Sequence, residues 1–113
     1  MTISFAPLFD PNVVNDAAAE ILYTVPAPAS SILRNARVRF SNTTAGAVTV
    51  KVWAVPSGGS VGDGTVCLPE KSIAANDFID VDIPVLGVGG TIRAKAGAAS
   101  SITASCMGGF VQS

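Results

Sequence analysis

The sequence predicts an all-β fold, a sandwich of about seven antiparallel strands in jelly-roll or Greek-key order behind an N-terminal arm. Three observations predict it. Apolar and polar residues alternate with a period of two in one segment after another, as in a sheet with one dry face. Clusters of Gly, Pro, Asn and Asp punctuate these segments at roughly 8–12-residue intervals. Charged residues are only 13% of the chain and hydrophobic ones 49%, the reverse of a disordered composition. A chain of 113 residues forms one domain. It buries roughly two-thirds of its unfolded surface, enough for a core without disulfide or metal staples.

Residues 1–19 read as an arm and residues 20–113 as the sandwich domain. Pro7 and Pro11 break regular structure in the arm, and Phe5, Leu8 and Phe9 give it an apolar tip suited either to a neighbouring subunit or to its own sheet. Residues 15–20 hold the caps of one helical turn, too short to count as a helix. Residues 20–25 form a short strand stopped by Pro26 and Pro28. The stretch that organises the chain is 32–55, read as a central hairpin. In its first strand Ile32, Ala36, Val38 and Phe40 share one face, while Asn35, Arg37, Arg39 and Ser41 share the other. In its second, Val48, Val50, Val52 and Ala54 alternate with Thr49, Lys51, Trp53 and Val55, and residues 42–46 supply turn chemistry between them.

Residues 57–64 are a Gly-rich surface loop; no Lys-Ser/Thr pair follows, as a phosphate-cradling loop needs. Residues 65–73 are a strand broken by Pro69, the mark of an edge or a bulge. Ile79, Val81 and Ile83 then face inward against Phe78, Asp80 and Asp82. Ile92, Ala94 and Ala96 do so against Arg93 and Lys95, and Ile102, Ala104 and Cys106 against Ser101, Thr103 and Ser105. Gly108 and Gly109 are expected to loosen the tail.

The same residues argue against chemistry. The chain has no histidine, which removes Ser-His-Asp and Cys-His catalysis and histidine metal sites. Cys67 and Cys106 are compatible with a disulfide that their spacing does not decide, no other Cys or His completes a zinc site, and Cys106 is expected as a buried free thiol on an apolar face. Asp80 and Asp82 share a strand face without a calcium-loop pattern, and cross-strand pairing with Arg93 or Lys95 is expected. A net charge of −1 without a basic run gives phosphate backbones nothing to bind, so no nucleic acid is expected. The N-terminus lacks the charged and apolar regions of a secretory signal, and no stretch approaches the roughly 18 apolar residues of a membrane span. A soluble protein made in the cytoplasm follows, with no cofactor, no metal and no membrane partner. So few charges also suit a strand face covered by copies of the chain or by a partner.

Residues 22–60, LYTVPAPASSILRNARVRFSNTTAGAVTVKVWAVPSGGS, resemble small proteins of tailed-bacteriophage genomes. The likeness lies in the LYT-x-P-A opening, in a strand ending Ser-Asn before Thr/Ala/Gly, and in the VTVKVW strand followed by VPSGG. Residues 91–105, TIRAKAGAASSITAS, resemble the closing hairpin of the same proteins. The resemblance implies a virion structural protein without catalytic residues: a capsid decoration (cement) protein or a tail or fibre component. Such decoration proteins often sit as trimers at three-fold axes. The expected partners are therefore copies of the chain, with a trimer favoured, and the major capsid or other virion proteins. The expected location is the particle surface. Phe5, Leu8, Phe9, Arg37, Arg39 and Trp53 are the candidate contact residues. A tail-tip, fibre or host-recognition module that binds a receptor or glycan is the alternative.

Overall fold

The computed structural model describes the backbone at residues 3–4 and all of residues 8–112. Phe5 lies outside the described residues. The strands are β1 (Ile3–Ser4), β2 (Asn12–Val13), β3 (Glu20–Thr24), β4 (Ile32–Asn42), β5 (Val48–Val55), β6 (Val66–Ile73), β7 (Phe78–Asp82), β8 (Leu86–Gly87), β9 (Thr91–Ala96) and β10 (Ile102–Gln112). They form two antiparallel sheets packed as a sandwich, with no helix among the described residues. In the six-stranded sheet β10 and β4 lie side by side at the centre. The short β1 and β2 pair with the far edge of β10, and β7 and β8 with the far edge of β4. The four-stranded sheet runs β3-β9-β5-β6. The order β2-β10-β4-β7 facing β3-β9-β5-β6 is that of an eight-stranded jelly roll, and β1 and β8 bring the described strands to ten where about seven were expected.

The expected alternation fills the core. Val38, Phe40, Ile102, Ala104, Val81 and Ile83 come from the larger sheet, and Val50, Val52, Ile92, Ala94 and Ala96 from the smaller, all buried. Burying each larger apolar side chain is worth roughly 1.5–3 kcal/mol. Val14 is buried in the same core, and Leu8 and Phe9 pack against it. The sandwich thus reaches back into the segment read as an arm.

Residues 32–55 are not a hairpin. β4 and β5 belong to different sheets, so residues 43–47 carry the chain across the sandwich as an arch. The β9–β10 connection, read as a closing hairpin, crosses in the same way, as do β2–β3 and β6–β7. These four crossings gather at one end. Asn42, 2% exposed, ties two of them together. Its Nδ2 donates to the carbonyls of Gly46 at 2.8 Å, Ile73 at 2.9 Å and Ala74 at 3.2 Å. Its Oδ1 accepts from the Thr44 amide at 2.9 Å and from Thr44 Oγ1 at 2.7 Å. The Thr43 amide donates to the Ser101 carbonyl at 3.1 Å and so joins the β9–β10 arch to the other two. In the β2–β3 crossing Asn15 Oδ1 accepts from the Ala17 amide at 2.7 Å, in place of a helical turn.

The tail is not loose. Phe110, Val111 and Gln112 pair with Arg34, Leu33 and Ile32 after register shifts on either side of Gly108. Gly109 (φ 119°) and Asn35 (φ 54°) take left-handed conformations on the two paired strands. This double irregularity resets the parity of β4. Leu33 is fully buried beyond it, where strict alternation had placed Ile32.

Candidate interaction surface

The outer face of the larger sheet is built by three neighbouring strands. From β4 it takes Arg37, Arg39 and Ser41, from β7 Asp82, Asp80 and Phe78 directly opposite them, and from β10 Ser105 and Thr103 opposite Arg39 and Ser41. Arg39 donates from Nε to Asp80 Oδ1 at 2.8 Å and from Nη2 to Oδ2 at 3.2 Å, a two-point fork. Its guanidinium also lies 4.1 Å from the centroid of Phe78. The hydrogen bond from Arg39 holds the Asp80 carboxyl below its usual range, so it stays ionised further into acid than a free aspartate does. Arg37 donates from Nε to Asp82 Oδ1 at 2.8 Å in an exposed pair. The two aspartates therefore meet Arg39 and Arg37 and not Arg93 or Lys95, because β7 borders β4 whereas β9 lies in the other sheet.

Beyond the Arg37–Asp82 pair this face ends in a groove of about 480 Å³. Its apolar side is Ile83, Pro84, Val85 and Met107. Val85 is 61% and Met107 48% exposed, so the groove presents uncovered apolar surface beside a charged rim. The register shift at Gly108 positions it, and neither residue announces itself by periodicity. The available signal was Pro84-Val85, an apolar residue placed after the strand that ends at Asp82.

The other candidate contact residues fall elsewhere. Leu8 and Phe9 are engaged by the chain's own core. Trp53 points away from the core, as its parity predicts, but is only 6% exposed on the outer face of the smaller sheet. There it is flanked by Arg93 and Val66 on the neighbouring strands, and the Lys51 ammonium lies 5.3 Å from its ring centroid. Of the described candidates Arg37 borders this open groove, and Trp53 lines a smaller pocket on the other sheet.

Another concavity, of about 440 Å³, opens between the edge strands β6 and β7 of the two sheets, and Cys67, Leu68, Ile79 and Val81 line it. Both cysteines are free, and Cys106 is half-buried. Burial pushes the Cys67 thiol up, which lowers its thiolate fraction and its reactivity. Among the described residues no three His, Cys, Asp or Glu side chains cluster to hold a metal ion. No described helix is long and apolar enough to cross a membrane. The arrangement suits non-covalent contact: an apolar groove, a rim of paired charges, and carboxylates already engaged by arginines. Comparison with known proteins finds no matching family model, no matching curated protein and no matching solved structure.

Proposed function

We propose that this chain is a non-catalytic structural component of a bacteriophage virion, a capsid decoration protein that stabilises the head by bridging neighbouring capsid subunits. The observation that carries the reading is the exposed Pro84–Val85–Met107 groove beside Arg37 and Asp82, on a domain whose core is already complete without it. Apolar surface of this kind, rimmed by polar groups, is the anatomy of a protein contact. The resemblance of residues 22–60 and 91–105 to small phage proteins names the setting. Jelly rolls serve viral capsids and lectins alike, so the fold is compatible with this role as an analogy and no more. A self-associating unit, with a trimer favoured, would attach through several weak contacts at once, and avidity would hold it on the shell.

Copy number tests the reading. Particles made from a genome carrying this gene are digested and the chain is quantified by mass spectrometry against the major capsid protein. Decoration requires hundreds of copies per particle. A handful would move the chain to the tail, where a host-recognition role is the alternative, and absence from the particle would remove the virion reading altogether.

A further inference from the structure

The outer face of the smaller sheet holds a separate pocket of about 360 Å³, lined by Asp16, Thr49, Lys51, Trp53, Glu70 and Lys95. Strands β5, β6 and β9 and the β2–β3 crossing each contribute to it. We propose that this pocket binds a neutral saccharide, with the Trp53 ring as its floor and the four charged side chains as its hydrogen-bonding rim. The inference does not depend on whether the chain sits on the head or the tail.

Three observations carry it. Lys51 and Lys95 stand directly opposite each other on β5 and β9, an arrangement that destabilises a sheet. The ion pairs of the described residues are Arg37–Asp82 and Arg39–Asp80, both on the other sheet. Lys51, Lys95, Glu70 and Asp16 thus converge on one concavity without forming a salt bridge with one another. Two ammoniums and two carboxylates also leave the pocket with no net charge. An isolated phosphate or carboxylate would meet Glu70 and Asp16, and a cation would meet the lysines. A polyhydroxylated ring suits both, because its hydroxyls donate to carboxylates and accept from ammoniums. Finally, the Trp53 Nε1 is buried and donates to no acceptor among the described residues, an arrangement that is costly unless something can use the donor.

The volume lies near the lower end of the roughly 300–1,000 Å³ typical of small-ligand sites. Lys51 is the movable part. Its ammonium lies 5.3 Å from the indole centroid, and displacing this flexible side chain is the step by which the C–H face of a sugar would reach the ring.

Trp53 is the only tryptophan in the chain, so intrinsic fluorescence reports on this pocket alone. The protein is titrated with glucose, galactose and N-acetylglucosamine and with their β-linked disaccharides, while inorganic phosphate and glucuronate serve as charged comparators. The expected result is a saturable change with at least one neutral sugar. Glu70→Gln and Lys95→Met, both at exposed positions, are expected to weaken it about tenfold each without lowering the melting temperature. No response to any neutral sugar would overturn the proposal. So would a tighter response to phosphate or glucuronate, or full binding by both variants.

Discussion

Asn42 continues the inward parity of Val38 and Phe40, so a polar amide ends a row of core residues. Its five hydrogen bonds engage both ends of the amide and three backbone carbonyls at the arches. Asn42→Ala would take a donor from the buried Ile73 carbonyl and the part-buried Ala74 carbonyl, while Gly46 keeps that of Thr44 Oγ1, and should cost about 2 kcal/mol in urea unfolding. Asn42→Asp keeps the acceptor and loses the donors, and should recover only a minor part; full stability in either variant would refute the pinning role. The signal was present in the sequence, because an amide at an inward position needs internal partners. It went unread because Asn-Thr-Thr-Ala-Gly is equally good chemistry for a hairpin turn. At Asp80 the sign of the pH effect follows from the lowered pKa in the fold. Its contribution is present above the unfolded value of roughly 3.9 and is lost as pH falls through the folded value. Acid titration of Asp80→Asn should therefore show a shallower loss of stability below about pH 4 than the parent chain. An identical slope in the two proteins would mean that the Arg39 fork contributes nothing to acid stability.

Strand alternation made most elements legible, since β7, β9 and β10 as far as Ser105 place their apolar residues as the period of two requires. Pro69 likewise falls on an edge strand whose ladder with β5 is interrupted. What alternation does not encode is which strand neighbours which, and two connections were misread for that reason. The contact groove was hidden by the same limit, because it depends on the irregularity where β10 passes β4. That irregularity has its own test. A Cβ at Gly109 would come within 2.8 Å of the Ala36 Cα, on a backbone with φ 119°. At Gly108 the nearest neighbour would be 3.9 Å away and φ is not positive. Gly109→Ala should destabilise by more than about 1 kcal/mol in chemical unfolding, whereas Gly108→Ala should change little. Equal effects at the two positions would show that the bulge does not fix the strand.

For the whole molecule, light scattering of the purified 11.4 kDa chain should give about three times that mass if the exposed groove closes between copies. Val85→Asp with Met107→Asp should then reduce it to the monomer while leaving the melting temperature of the domain intact, since both side chains stand outside the core. A parent chain that is monomeric at all concentrations would assign the groove to a different partner. The jelly-roll order also governs how the chain can reach its fold. Among the long strands only β5 and β6 are both consecutive and paired, whereas β4 pairs with β10 across some sixty residues, Asn42 with Ile102. Loops must therefore close before most ladders reward them, which places refolding in the millisecond-to-second range. The β5–β6 hairpin is the natural place to start. Because β10 is the common neighbour of β2 and β4, the larger sheet stays split until the last strand arrives. During synthesis the chain then presents two unpaired edges until β10 has emerged, and completion of the larger sheet is set by that arrival.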